Sequence, residues 1–204
     1  MEFLNQIIFD MYLKNILIAG LFIVMGIGLS SCEKDYVPTE VKTTDILTDV
    51  NPQTGAYTYF SFKNGTVVAN TEAQTTNWDF GVKFTTFIVN SGISGPGEGG
   101  VLIQNGVFDE ILEAPETGYL VDETGDLAIV DGEWYDYNPV THTFAPKAGK
   151  VFIFKTADGK YAKMELLAAT PTDANGNTVT PPTFPTKIKY TLRYAYQEGG
   201  SRKF

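Results

Sequence analysis

The 204-residue sequence contains one cysteine, Cys32, and one histidine, His142. A single cysteine excludes an intramolecular disulfide. The same scarcity leaves no Cys–His pair for nucleophilic catalysis and no His and Cys cluster for a structural zinc site. Acidic residues are plentiful, but no pair of them has a spacing that identifies a catalytic dyad. We therefore expect a protein that is not an enzyme and has no metal site of this kind.

Basic residues are also few. The chain has 15 Lys and Arg against 24 Asp and Glu, which gives a formal net charge of −9 at pH 7. An acidic surface repels phosphate backbones, and this argues against a nucleic-acid partner. It argues equally against electrostatic adhesion to anionic lipid.

Runs that favour helices are scarce, whereas glycine and aromatic residues are abundant. The sequence has 20 Gly, 11 Tyr and 14 Phe, and 43% of its residues are hydrophobic. This composition is typical of an all-β protein with a substantial core. The length allows one domain, or one domain with a tail.

The N-terminal region indicates an export signal. Residues 16–29 form an apolar run of fourteen residues after Lys14, which is short for a membrane span, and the run leads directly into Ser30-Ser31-Cys32. Small residues before a cysteine suit the narrow site of a lipoprotein signal peptidase. We predict a signal peptide over 1–31, with Met11 as a possible true start, and lipidation at Cys32. The alternative is a transmembrane anchor with an incidental cysteine.

A tether and a domain are predicted to follow. We assign 32–43 to a lipidated tether and 44–204 to the β domain, with a first strand near Thr44–Thr48. The charged residues 33–35 resemble an export signal to the outer face of the outer membrane, and a plain charged tether would have the same composition. The expected location is the outer membrane, with the chain held by lipid through Cys32 and exposed at the cell surface.

A central stretch predicts one long strand followed by a glycine loop. Apolar residues alternate at Trp78, Phe80, Val82 and Phe84, so that they share one face of a strand running to Val89. Residues 90–100 then contain five glycines and one proline. We expect a stiff sheet that carries a mobile loop able to approach a ligand closely.

Further strands are predicted on both sides of this stretch. Asn64-Gly65 indicates a two-residue hairpin turn, and 151–156 with 161–167 form a hairpin around Ala157-Asp158-Gly159. Short strands are expected at 127–130 and 141–144. Residues 187–196 alternate closely enough to predict a half-buried strand that closes the sheet by long-range pairing.

Three motifs in this order resemble those of the HmuY family of bacterial surface lipoproteins. They are YFSFKNGTVV at 59–68, WDFGVKF with VNSG and SGPGEGGV at 78–101, and VFIFKTADGKYAKMEL at 151–166. The resemblance spans about 57–196. It implies an all-β, largely antiparallel sheet or sandwich domain behind a lipoprotein signal and tether. It also implies heme binding for iron acquisition, with heme as cofactor and an outer-membrane receptor as a possible partner.

Candidate heme ligands are few. Axial ligands of heme iron are usually His, Met, Cys or Tyr, and after signal removal the chain retains His142 and Met164. Both also have ordinary interpretations, as a solvent-facing histidine and a core methionine. Trp134 and Phe144 are the aromatic residues expected to flank a porphyrin, and Tyr135 and Tyr137 are the tyrosines that could contact iron together with His142.

The resemblance implies a paired His or Met ligand set on a thumb-like projection, which corresponds to 124–144 here. One ligand-bearing segment has no counterpart in this chain, and Asn138 stands about where the second ligand is expected. A second hypothesis is therefore a HmuY-like domain with a non-heme ligand. A peptide, glycan or protein partner would then sit on the glycine loop and the aromatic residues 134–137.

Overall fold

The computed structural model describes residues 39–141, 143–180 and 183–204. These residues form eleven strands and two short 3₁₀ turns at Asn70–Glu72 and Phe108–Glu110. In chain order the strands are β1 Val41–Asp49, β2 Thr58–Ser61, β3 Thr66–Val68, β4 Phe80–Lys83, β5 Thr86–Val89, β6 Gly100–Asn105, β7 Tyr135–Asn138, β8 Thr143–Pro146, β9 Lys150–Lys155, β10 Tyr161–Thr172 and β11 Lys187–Gln197.

Two antiparallel sheets and a separate hairpin contain all of these strands. The larger sheet has the order β1-β11-β10-β9-β6, the smaller one β3-β2-β4-β5, and β7 pairs only with β8. Every pair is antiparallel. The prediction of an all-β, largely antiparallel fold is confirmed.

The main core lies between the two sheets and is strongly aromatic. On β11, Tyr190, Leu192 and Tyr194 point into it, and Lys189, Thr191 and Arg193 alternate with them on the other face. Aromatic rings in this core contact each other edge to face or tilted, at centroid distances of 5.0–5.8 Å for the pairs joining Phe60, Phe62, Phe80 and Phe154. Burying rings of this size supplies much of the stability of such a core.

A second, smaller cluster covers the opposite face of the larger sheet. It packs Val151 and Ile153 of β9 against Phe108 and the C-terminal Phe204. The buried Lys163 Nζ donates hydrogen bonds of 2.8 Å to the carbonyls of Phe108 and Ile111. A buried lysine is tolerated here because two protein carbonyls accept the hydrogen bonds that its ammonium group would otherwise donate to water.

Closure by β11 agrees with the sequence prediction, and the first strand is longer than expected. β11 pairs with β10 on one side and with β1 on the other. β1 begins at Val41, inside the range 32–43 that we assigned to the tether, because Val41 already pairs with Ala195.

The predicted single strand from Trp78 to Val89 is wrong, since it is a hairpin. β4 and β5 are joined by the two residues Phe84 and Thr85, with Lys83 opposite Thr86. Phe84 has φ of 51°, a left-handed conformation that is uncommon for a bulky residue. The N–H of Phe84 donates to the Asp49 carbonyl at 2.8 Å, and its ring packs on Phe144. These contacts with residues distant in sequence hold the turn, which has no local turn sequence.

Two further local predictions are wrong. The turn at Asn64-Gly65 has four residues, because Ser61 pairs with Thr66. Residues 127–130 form an irregular loop, since the side chain of the buried Asp122 folds this segment back on itself.

Candidate functional site

The predicted aromatic residues come together on the hairpin formed by β7 and β8, which we call the aromatic hairpin. Tyr137 lies opposite Phe144, and Asn138 opposite Thr143. In addition to the backbone hydrogen bonds between the strands, Lys147 Nζ donates to the Gly132 carbonyl at 2.9 Å and so links the two ends of the hairpin. The hairpin is a two-stranded unit that pairs with neither of the two sheets.

Most of the aromatic surface at the root of this hairpin is used in packing. Trp134 is 1% exposed, and its ring meets Phe87 at 5.2 Å and Tyr190 at 5.8 Å between centroids. Phe144 is half-buried and contacts Trp134, Tyr135 and Phe84. These rings attach the hairpin to the main core, so substitutions there would affect folding as well as binding.

The tip of the hairpin is where side chains remain accessible. Tyr137 is 55% exposed and Val140 is 87% exposed. Asn138 Oδ1 accepts the N–H groups of Val140 and Thr141 at 2.9 and 3.2 Å, which orders the connection between the strands. His142 is the chain neighbour of Thr141 and Thr143, and it lies outside the described residues. The lipidation candidate Cys32 and the possible start Met11 also lie outside them.

Tyr135 is held as a neutral phenol. Burial raises its pKa, and the hydrogen bond of 3.0 Å that its hydroxyl donates to Asp131 raises the pKa further. A tyrosine must lose its proton to become a strong iron ligand. The surroundings of Tyr135 therefore favour a packing role over ligation.

Met164 lies in the main core and is completely buried. It is paired with Phe152 on one side and Tyr194 on the other. The hairpin instead approaches the core beside Tyr190, whose partner on β10 is Ala169. Five residues of strand separate Met164 from Ala169, which is roughly 15 Å at the usual rise. The structure therefore does not bring Met164 together with the aromatic hairpin.

The glycine loop is packed around one buried side chain, which corrects the prediction of a mobile loop. Asn90 Nδ2 donates to the carbonyls of Thr75 and Trp78 at 2.9 and 2.7 Å, and its Oδ1 accepts the N–H of Gly97 at 2.9 Å. A Cβ on Gly97 would lie 2.7 Å from the Asn90 carbonyl oxygen. These glycines allow close internal packing, so the loop is not available as a flexible seat for a peptide or glycan.

Sequence analysis missed two buried carboxylates that hold the loops in place. Asp79 accepts the N–H groups of Phe62 at 2.7 Å and Ala157 at 3.0 Å, which joins a turn of each sheet. Asp122 accepts those of Val89 at 2.8 Å and Ala128 at 2.9 Å. An Asp next to apolar residues was the only available signal, and such a signal does not distinguish a buried acid from an exposed one.

Two further findings concern the described residues alone. They contain no group of three or more His, Cys, Asp and Glu side chains arranged to hold a metal ion. None of their helices has the length and apolar character needed to cross a membrane.

A family comparison matches most of this chain. The model of the family described as HmuY protein matches residues 53–184. No curated protein gives a significant match. The matched range includes both sheets except β1 and the last strand in chain order, β11, and it includes the whole aromatic hairpin.

Several solved structures are similar in fold. Apo PinO from Porphyromonas gingivitis has 17% identity and a TM-score of 0.52, and the alignment covers 79% of this chain and 100% of that one. A protein provisionally described as an HmuY-like heme binder from Bacteroides vulgatus has 19% identity and a TM-score of 0.47, covering 76% and 92%. A provisionally assigned lipoprotein from Bacteroides fragilis has 14% identity and a TM-score of 0.45, covering 74% and 88%.

Proposed function

Since the chain belongs to the HmuY family, we propose that it is a lipid-anchored protein of the outer membrane surface that binds heme for iron acquisition. The observation that supports this most directly is the position of the only histidine. In the sequence His142 stands between Thr141 and Thr143, and the described residues of the same hairpin include Tyr137, which is 55% exposed.

The aromatic hairpin offers one candidate axial ligand for heme iron. His142 would supply the imidazole nitrogen, and Tyr137 offers an aromatic face against which a porphyrin can lie. Met164 is buried in the core, and the chain has no second histidine. We therefore expect heme held through a single protein ligand rather than through the paired set that the family resemblance implies. When bound, heme would supply the iron that is carried, and the protein would supply binding and not catalysis.

A heme titration of the full-length chain tests this proposal. We expect ferric heme to give a sharpened Soret band that saturates at one equivalent, and His142→Ala to abolish it. Thr141→Ala is the matched control, because Thr141 is exposed and adjacent and should leave the band unchanged.

An unchanged spectrum with both ferric and ferrous heme would contradict heme binding. Retention of the band in His142→Ala would show that another residue ligates the iron. The alternative of a non-heme ligand would then remain, with Trp134 unavailable to it because this side chain is buried, and with contacts in the glycine loop limited to its exposed residues such as Ile93.

A further inference from the structure

Residues 119–131 form a surface groove with an unusual combination of apolar and acidic side chains. Its cavity of about 420 Å³ is lined by Leu120, Val121, Glu123, Asp126, Leu127 and Val130, which we call the acidic groove. A second depression of about 260 Å³ beside Thr86 shares Asp126, Leu127 and Val130 with it. The two depressions are therefore neighbours, and the first lies within the size range of ligand sites.

The apolar residues of this groove are exposed to a degree that packing does not explain. Leu120 is 57% exposed and Val130 is 55% exposed. Single exposed apolar residues are ordinary, but here three lie around one cavity, with Val121 as the third. Clustered apolar exposure of this kind is typical of a binding surface.

The loop is held rigidly, so the groove exists before any partner binds. The side chain of Asp122 holds the loop in place by accepting the backbone N–H groups of Val89 and Ala128. Leu120 forms a bridge to Val101 in both directions, and Glu123 and Asp126 exchange backbone hydrogen bonds of 2.8 and 3.1 Å. A preformed site avoids the ordering cost that a flexible loop would incur on binding.

The charge around the groove identifies the kind of partner. Residues 84–146 contain eleven Asp and Glu and no Lys or Arg. Cations from outside this range form ion pairs with acids elsewhere in it, such as Arg193 with Asp109 and Arg202 with Glu113. No ion pair within the described part of the chain involves Glu123 or Asp126. These carboxylates are therefore available to a cation from outside.

We propose that the acidic groove binds a basic segment of a partner protein, in which Lys or Arg residues flank an apolar side chain. The apolar side chain enters between Leu120 and Val130, and the basic groups meet Glu123 and Asp126 at the rim. Such charge complementarity accelerates encounter and selects the partner, while the buried apolar contact supplies affinity. Heme is disfavoured in this groove because its carboxylate groups are anionic, as are those of Glu123 and Asp126.

Fluorescence anisotropy on the full-length chain tests the proposal with a short labelled peptide of alternating Lys and Leu. We expect saturable binding that weakens as salt is added, and no binding of the matched peptides of alternating Glu and Leu or Lys and Ser. Glu123→Gln with Asp126→Asn should weaken binding about fivefold, as expected for two exposed ion pairs. The matched control is Glu40→Gln with Glu198→Gln, which removes the same charge from another surface and should have little effect.

A second pair of variants tests the apolar contact. Val130→Ser should weaken binding about tenfold through the loss of buried apolar area, whereas Val107→Ser should not, although Val107 is 53% exposed. Equal weakening by both charge pairs would overturn the proposal, since the peptide would then respond only to net charge. Failure of the wild type to bind the Lys and Leu peptide would also overturn it, as would sedimentation showing a dimer of this chain that Val130→Ser dissociates.

Discussion

The buried carboxylate of Asp79 should make the stability of this protein depend on pH in a defined direction. Burial raises the pKa of Asp79 from 3.8 to about 6, the nearby charge of Asp158 also raises this pKa, and the two backbone N–H groups that it accepts oppose the rise. Because the folded state then binds the proton more tightly than the unfolded state, the stabilisation is fully present below pH 3.8 and is lost as pH rises through about 6.

The size of the effect follows from the shift. A change of one pKa unit corresponds to about 1.4 kcal/mol, so a rise of two units corresponds to about 3 kcal/mol of free energy of unfolding. This is a large fraction of the about 5–15 kcal/mol that typically stabilises a domain. Asp79→Asn removes the titration. The amide oxygen can still accept one of the two N–H groups, and losing the other contact costs an amount that does not vary with pH.

Urea unfolding of wild type and Asp79→Asn, measured between about pH 3.5 and about pH 7.5, isolates the contribution of the Asp79 titration to the free energy of unfolding. The free energy of unfolding of the wild type minus that of the variant should fall by about 3 kcal/mol as pH rises, and should level off above about pH 7. In an Asp158→Asn background the fall should be smaller and should occur at lower pH, because a charge that raises the pKa has been removed.

The shape of the difference curve decides the outcome. A constant difference would show that the pKa of Asp79 is not shifted by folding. A difference that increases with pH would show that the hydrogen bonds from Phe62 and Ala157 outweigh burial, so that the carboxylate is favoured as an anion.

Two further predictions concern the glycine loop and the anchor. Gly95→Ala should lower the free energy of unfolding by about 1–3 kcal/mol, because the added Cβ would overlap Asn90 Oδ1 and lie 2.7 Å from Trp78 Cζ2. Gly106→Ala is its control, since its nearest neighbour would be 3.7 Å away, and an equal loss of urea stability in both would contradict this account. In cells, labelling of the chain by a clickable palmitate should disappear in Cys32→Ser, and persistent label would contradict lipidation at this residue.

The sheets were predictable from the sequence wherever alternation was long and the turn residues were local. The alternating residues 187–196 fall within β11, and the hairpin of β9 and β10 turns at a recognisable Ala157-Asp158-Gly159. The turn at Phe84 was not predictable, because the residue is unsuited to positive φ and is held by Asp49 and Phe144, which are distant in sequence. Sequence patterns therefore predict those strands and turns whose conformation is set by residues close together in the chain.

The candidate site was predictable only in part for a related reason. Composition identified Trp134, Tyr135, Tyr137 and Phe144 as one aromatic group, and the structure places them on one hairpin. Sequence could not separate those that attach the hairpin from those that remain accessible, because burial depends on what packs against them. The same limit explains why glycines around Asn90 suggested mobility when they serve close packing.

The aromatic hairpin and the start of β1 contact different parts of the strand β11. The hairpin packs near the start of β11, where Tyr190 meets Trp134 and Phe144 at 5.8 and 6.3 Å between ring centroids. The chain enters at Val41, which pairs with Ala195 near the end of β11. Five residues of strand separate Tyr190 from Ala195, or roughly 17 Å. Because the hairpin and Val41 meet β11 at positions roughly 17 Å apart, we expect substitutions at the exposed tip of the hairpin to leave the pairing of β1 with β11 undisturbed.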